Sequence, residues 1–245
     1  LFPYTTLFRS PVAAGMDKQT DFVKHLFQCL RPYGGAAYLP ISETEHLHFE
    51  QWAKEAKLEN ARVYRLDDLT VLKREGMLPG AGQWTHEHAT SANTVMSEDD
   101  LARAPLGILW FGGPTNVNVL PRHGYGPVPQ VCRGRLIILG VNAISARDVY
   151  SGKQLWLVEF PGIGERYQTL PDDPGQYLPH QPGAAFVGSR YVSSPDGVYV
   201  AYKDTITRLD PETGATLSVF TLDGKALGLT DEELVNSTRS EEHTS

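Results

Sequence analysis

The 245-residue sequence has only two cysteines, no long apolar run and no excess of positive charge. Cys29 and Cys132 are far apart, and neither has a cysteine or histidine neighbour at metal-ligand spacing, so we expect two buried thiols rather than a disulfide framework or a zinc site. No apolar run approaches the ~20 residues of a membrane-spanning helix, which predicts no membrane span in this window. The net charge of −7 argues against non-specific binding to nucleic acid or anionic membranes.

A hydrolase motif is also absent. No Gly-x-Ser-x-Gly occurs, so a nucleophile elbow has no anchor residue. What remains is the composition of an ordinary globular protein, with 41% hydrophobic and 21% charged residues. The length suits one large domain or two small ones.

The two ends of the chain differ in character from the rest. "LFPYTTLFRS" at residues 1–10 has no charged region before its apolar residues, so it does not fit a signal peptide. It matches the conceptual translation of a common sequencing adapter, and "RSEEHTS" at residues 239–245 matches the opposite adapter. We therefore expect both ends to be adapter-derived and residues 11–238 to be a window of a longer bacterial multidomain protein.

Residues 11–76 alternate helices and strands, which is typical of an α/β domain. Helical spacing of apolar residues predicts one helix in "DKQTDFVKHLFQCLRP" and a second in "ETEHLHFEQWAKEAKLEN". Between them, "GAAYLPIS" predicts a short buried strand. The runs "ARVYRL" and "LTVLKRE" predict a hairpin that turns at Asp67 and Asp68.

The turn "LRPYGGAAYL", residues 30–39, resembles the "L-[KR]-P-G-G" turn in the C-terminal part of class I S-adenosylmethionine-dependent methyltransferases, with Tyr33 inserted. The resemblance implies a helix and a terminal hairpin after the strand, as above. It also implies that the cofactor site would lie upstream, at a glycine-rich loop that this chain lacks. We therefore expect this chain to bind no S-adenosylmethionine, whereas the full-length parent could be a methyltransferase.

After a Gly/Pro-rich stretch the hydrophobic period changes from 3.6 to 2, so we place a domain boundary after residue 76. Residues 77–100 are predicted as a linker into a second domain, and residues 101–238 as mainly β. Short strands are predicted at "GILWFGG", "PVPQVC", "RLIILGV", "QLWLVEF", "SRYVSS", "GVYVAYK" and "TITRLD".

One phrase occurs twice in this second domain. Asp148 and Gly152 recur as Asp210 and Gly214, 62 residues later. Each Asp is predicted to open a type I turn and each Gly to close it in the left-handed conformation, between alternating apolar residues. With the preceding strands, each copy makes a four-stranded antiparallel blade. The predicted fold class is an α/β fragment followed by a mainly β part, an incomplete β-propeller of about two blades.

The first copy, "ARDVYSGKQLW", resembles the blade motif of pyrroloquinoline-quinone-type, or quinoprotein-like, β-propellers. In that family the tryptophan packs between adjacent blades, which implies a structural role for Trp156. Ser218 stands at this position in the second copy. The run from "GQWTHEHATSANTVMS" to "LPRHGYGPVPQV" is similar to the opening of a propeller domain that follows a methyltransferase-like domain in some bacterial proteins.

The quinone-dependent dehydrogenases of this family would imply a Ca²⁺ site of Glu, Asn and Asp and often two adjacent cysteines. Here the cysteines are not adjacent, and turns account for Asp148 and Asp210. We therefore predict no catalytic residue, no metal and no pyrroloquinoline quinone in this fragment.

A candidate binding loop lies before the first blade. Its polar and aromatic residues could line a binding face, or could satisfy backbone groups of a long Gly/Pro-rich loop. His86 and His88 would share one face if they lay on a strand, but no further ligand completes a zinc site. The candidates are Trp84, His86, His88, Asn93, Arg122 and His123.

Taken together, these patterns predict a binding or scaffolding propeller, itself catalytically inactive, with a protein or small-molecule ligand on the propeller face. The alternatives are enzymatic: methyl transfer by the full-length parent, or a quinone-dependent dehydrogenase. The compartment, the blade total and the partner stay open.

Overall fold

A computed structural model describes residues 6–7, 19–111, 119–120, 127–164 and 189–223 of the chain. The chain divides into two compact units, Leu1–Pro79 and Gly80–Ser245. Among the described helices, none is long and apolar enough to cross a membrane.

The first unit contains two helices, α1 at Gln19–Gln28 and α2 at Glu43–Glu55. Helix α2 begins at a capping box, in which Ser42 Oγ accepts a hydrogen bond from the Glu45 backbone N–H and the Ser42 N–H donates to the Glu45 carboxylate. This reciprocal pair satisfies two backbone donors that a helix start leaves unpaired. Both predicted helices are confirmed, and they enclose an apolar core with the sheet; its members are Phe22, Val23, Leu26, Phe27, Leu30, Ala37, Leu39, Phe49, Ala53 and Leu72.

The sheet of the first unit has the strand order β1-β2-β4-β3. Its strands are β1 at Thr6–Leu7, β2 at Ala36–Leu39, β3 at Ala61–Leu66 and β4 at Leu69–Arg74. The predicted hairpin is confirmed, because β3 and β4 pair antiparallel around a turn in which Asp67 has a φ of 50°. Strand β1 pairs parallel to β2, so two residues of the decapeptide that we expect to be adapter-derived take part in this sheet.

The turn from α1 into β2 explains its glycines. Gly34 N–H donates to the Arg74 carbonyl at 2.8 Å, and Gly35 N–H donates to the Arg31 carbonyl at 2.9 Å. A Cβ on Gly35 would lie 2.4 Å from that carbonyl oxygen, closer than carbon and oxygen can approach. The inserted Tyr33 adopts a φ of 56° and donates its N–H to the Gly76 carbonyl, which ties the turn to the end of β4.

The second unit contains two four-stranded antiparallel sheets in sequential strand order. The first blade consists of β5 at Gln130–Cys132, β6 at Arg135–Leu139, β7 at Ala143–Asp148 and β8 at Gln154–Glu159. The second blade consists of β9 at Tyr191–Ser194, β10 at Gly197–Tyr202, β11 at Thr205–Leu209 and β12 at Thr216–Thr221. The predicted fold class is confirmed: an α/β part is followed by two blades of an incomplete propeller.

One predicted strand is wrong. "GILWFGG" forms no strand over residues 107–111, the part of it that the structure describes. Apolar and polar side chains do not alternate along this run, so it has no defined sheet face, and Trp110 packs on a turn of the first blade, as described below. Residues 84–95 precede the first blade, and we call them the lead-in segment. Its first residue, Trp84, forms an isolated antiparallel bridge with Val131 of β5.

The two blades share one apolar core. Alternation along the strands gives each blade two faces. We call the face of a blade that points toward the following blade its trailing face, and the opposite face its leading face. The trailing face of the first blade packs against the leading face of the second. The trailing face contributes Ile137, Leu139, Ile144, Ala146 and Trp156, and the leading face Tyr191, Val198, Val200 and Leu209.

Candidate functional site

The repeated phrase forms the same turn in both blades. Asp148 Oδ1 accepts hydrogen bonds from the N–H groups of Tyr150 and Ser151, at 2.9 and 3.0 Å. Gly152 N–H then donates to the Asp148 carbonyl at 2.8 Å, with Gly152 at a φ of +69°. The left-handed glycine lets β7 and β8 close with a register shift after Ala146.

The second turn repeats these contacts. Asp210 Oδ1 accepts from the N–H groups of Glu212 and Thr213, at 2.7 and 2.8 Å. Gly214 has a φ of +74° and donates to the Asp210 carbonyl at 2.9 Å. The hydrogen bond from Thr213, ahead of that from Glu212, holds the pKa of Asp210 below its usual value. The charged carboxylate is therefore the form that closes the turn.

Trp156 joins the two blades. Its indole lies on Gly214, where an added Cβ would be 2.8 Å from Cδ2. Its Nε1–H donates to the Pro211 carbonyl at 3.0 Å, and the side chain is only 7% exposed. A tryptophan from one blade thus packs on the Asp…Gly turn of the next and satisfies a backbone acceptor there.

Trp110 makes the same contact with the turn before it. Its indole lies on Gly152, where an added Cβ would be 2.4 Å from Cε3, and its Nε1–H donates to the Val149 carbonyl at 2.9 Å. Val149 and Pro211 each stand three residues before the glycine of their turn. Trp110 therefore occupies, on the first blade, the place that Trp156 occupies on the second.

Gln130 links the inner strands of the two blades. The side chain is fully buried, its Nε2 donates to the Tyr191 carbonyl at 2.8 Å, and its Oε1 accepts from the Ser193 N–H at 2.7 Å. The Thr85 carbonyl accepts from the same Ser193 residue's N–H at 3.0 Å. One side-chain amide and one backbone carbonyl thus bridge β5 and the residues before it to β9.

Four of the six candidate binding residues lie together in one compact turn. Trp84 Nε1–H donates to the Glu87 carbonyl at 3.1 Å, and the His88 carbonyl accepts from the Val95 N–H at 3.1 Å. Asn93 has a φ of 50° within this turn. Arg122 and His123, the other two candidates, lie outside the described residues.

The two histidines of this turn do not share a strand face. His86 forms an isolated bridge with Ala89, and its Nδ1 lies 2.8 Å from Thr85 Oγ1, whereas His88 lies in the turn itself. In the described part of the chain, no three histidine, cysteine or acidic side chains approach closely enough to hold a metal ion. The residues of this turn are therefore joined by local hydrogen bonds beside β5.

Sequence reasoning missed two features of the second unit. Leu106, Ile108, Leu109 and Phe111 are exposed over 80%, 83%, 66% and 98% of their surfaces. Arg147, in contrast, is 2% exposed. Aligning the two copies would have pointed to Arg147, because the second copy has Leu209 there.

The two cysteines differ, and the prediction that both are buried is wrong for Cys29, which is exposed. Burial raises the pKa of the Cys132 thiol to about 11, although Arg133 and Arg135 act in the opposite direction. A thiol that stays neutral when folded but ionises when unfolded destabilises the fold as the pH rises from about 9 to about 11.

We expect a thiol reagent at pH 8 to modify Cys29 rapidly and Cys132 at least about 100-fold more slowly, because only the thiolate reacts. The measurement is the rate of labelling of the native protein, with a Cys29→Ser variant to assign the slow phase. Labelling of both thiols at one rate would contradict the burial of Cys132. Since each unit has one cysteine, the two rates also report on the two units separately.

No family model and no curated protein matches the chain. Among solved structures, the crystal structure of BamB from Moraxella catarrhalis matches with 20% sequence identity and a TM-score of 0.22. The match covers 36% of this chain, which spans about a fifth of that structure (21%). The blade architecture rests on the strand pairing of the chain itself.

Proposed function

We propose that the second unit is a protein-binding or scaffolding module. The observation that carries this proposal is the exposed apolar segment Leu106–Phe111. Four of its six residues have large apolar side chains that are between 66% and 98% exposed. Contiguous apolar surface of this kind is typical of an interaction site rather than of a solvated loop.

The segment is held in place at one point. Trp110 packs on Gly152 and donates to the Val149 carbonyl. None of the described strands pairs with residues 106–111. An anchored and unpaired apolar segment can add to the edge of a partner's sheet, where main-chain hydrogen bonds supply affinity and alternate side chains supply specificity.

The experiment is a capture assay with matched variants of the full chain. We expect the double variant Leu109→Asp/Phe111→Asp to lose a binding partner that the unsubstituted chain captures. Leu47→Asp is the control, because Leu47 is also exposed (60%) but lies on α2 of the first unit. Partners are identified by mass spectrometry, purified and titrated against each variant.

The double variant should raise the dissociation constant for that partner at least about 10-fold, which corresponds to a loss of about 1.4 kcal/mol of binding free energy. It should leave the unfolding midpoint unchanged, because exposed side chains contribute little to stability. Equal affinity of the double variant and the Leu47→Asp control would overturn the proposal.

The enzymatic alternatives stay predictions. Methyl transfer requires a glycine-rich cofactor loop, and quinone-dependent oxidation requires a set of Ca²⁺ ligands. The proposed binding role depends on neither of them.

A further inference from the structure

Strand β12 forms the outer edge of the second blade, and its exposed surface is apolar. It stands at the end of the strand order, so among the described strands it pairs only with β11. Leu217, Val219 and Phe220 are 49%, 54% and 53% exposed. From residue 213 to residue 222 the sequence contains no charged residue. Large apolar side chains are therefore accessible along a sheet edge.

Two other edge strands of the chain carry charges. Strand β3, at the edge of the first unit's sheet, contains Arg62 and Arg65, and β8, the outer strand of the first blade, ends at Glu159. Charged residues on an edge strand oppose pairing with another chain. Strand β12 lacks this protection and has the β-branched and aromatic residues that favour a strand. Of these three edges, β12 is the best suited to accept a further strand.

The backbone groups that would bind a further strand follow from the pairing of β12 with β11. Leu222 N–H donates to the Asp204 carbonyl at 2.8 Å, in register with the β11–β12 ladder. Alternate residues of an antiparallel strand direct both backbone groups to the same neighbour. Phe220 and Leu222 therefore face β11, whereas the N–H and C=O groups of Val219 and Thr221 face the open edge.

The strand that this edge fits best is a second copy of itself. In an antiparallel pair, Val219 of one copy can exchange hydrogen bonds with Thr221 of the other, and the two Phe220 side chains then lie opposite each other. Aromatic pairs across two strands stabilise a sheet, and no like charges meet because the strand carries none. The pair has a two-fold axis, so the association closes at a dimer.

We propose that two copies of the chain associate through their β12 strands, which joins two four-stranded blades into one continuous antiparallel sheet. One pair of strands buries less surface than the roughly 1,600 Å² of a typical stable complex, so we expect the association to be reversible. The interface differs from the exposed segment Leu106–Phe111, and the inference does not depend on the proposed binding role.

The first test is sedimentation velocity of the full chain over a wide range of concentrations, with amide hydrogen exchange measured at each one. We expect a monomer–dimer equilibrium. Exchange of the Val219 and Thr221 N–H groups should slow as the dimer fraction rises, because only the dimer bonds them. A chain that stays monomeric at every concentration, or a dimer that leaves exchange on β12 unchanged, would overturn the proposal.

The second test places a charge on the edge. Val219→Lys should raise the dissociation constant of the dimer at least about 10-fold. Leu155→Lys is the matched control, because Leu155 lies on the outer strand of the first blade and is 42% exposed. Slow labelling of Cys132 verifies that each variant is folded, and Thr221→Lys provides a second edge variant. An equal effect in the control, or none in either edge variant, would contradict the assignment of β12.

The double variant Leu109→Asp/Phe111→Asp separates this interface from the proposed binding segment. It should dimerise like the unsubstituted chain and fail only in the capture assay. Loss of the dimer in this variant would show that Leu106–Phe111, rather than β12, joins the two copies, and the proposal would then be wrong.

Discussion

Replacing Trp156 by alanine is expected to lower the free energy of unfolding of the Gly80–Ser245 unit by about 3–5 kcal/mol. The indole is 7% exposed, lies on Gly214 and hydrogen-bonds to the Pro211 carbonyl. Its removal leaves a cavity between the blades and an unpaired backbone acceptor. The measurement is guanidinium-induced unfolding of the full chain, followed by labelling of Cys132, which is the cysteine of this unit.

Two further variants separate the contributions. Trp156→Phe retains most of the apolar contact and loses the hydrogen bond, so it should cost about 1–2 kcal/mol. Ser218→Ala changes the equivalent position on the second blade. Among the described residues, no turn of a further blade packs on Ser218, so this variant should change stability by less than about 0.5 kcal/mol. A small effect of Trp156→Ala, similar to that of Ser218→Ala, would show that the indole does not hold the blades together.

Gly214→Ala is expected to have the second largest effect, about 2–4 kcal/mol. Two causes add. The left-handed backbone, at a φ of +74°, disfavours any residue with a Cβ, and that Cβ would lie 2.8 Å from Cδ2 of Trp156. The indole must move away from the turn, which weakens its hydrogen bond to Pro211. Gly152→Ala should behave in the same way, because its Cβ would meet Trp110 at 2.4 Å.

Gly80→Ala serves as the matched control in the same unit. Gly80 has a φ of +80°, but its Cβ would make only ordinary van der Waals contacts, with Leu101 at 3.4 Å and Asp100 at 3.5 Å. This variant should show the backbone strain alone, about 1 kcal/mol. Equal unfolding midpoints for Gly214→Ala and Gly80→Ala, by heat or by guanidinium, would show that the contact with Trp156 adds nothing to the cost of the substitution. The left-handed backbone alone would then account for glycine at position 214.

Trp110 and Trp156 make the same pair of contacts, each with the Asp…Gly turn that it covers. Each tryptophan packs on the glycine of one turn and donates to the carbonyl three residues before it. The second blade departs from this pattern, because Arg208 and Ser218 replace Ala146 and Trp156 on its trailing face. Arg208 donates to the Asp196 carbonyl at 2.6 Å, which makes this face more polar than that of the first blade.

The sequence by itself determined the local structure. Helical spacing located both helices, and alternation located six of the eight blade strands and the β3–β4 hairpin. The Asp…Gly repeats located two turns and, with them, the other two blade strands. Each of these depends on residues that are close together in the chain, so a short window contains the information. The capping box at Ser42 and the left-handed glycines are of the same local kind.

Only the tertiary structure decided what the blades do to each other. Trp110 reads locally as part of a strand, yet it packs on a turn some forty residues later and leaves its neighbours exposed. Gln130 binds Tyr191 and Ser193, and Arg147 becomes a buried cation only because its strand is covered on both faces. Packing joins residues that are distant in sequence, and a periodic pattern shows that a face is apolar without showing what covers it.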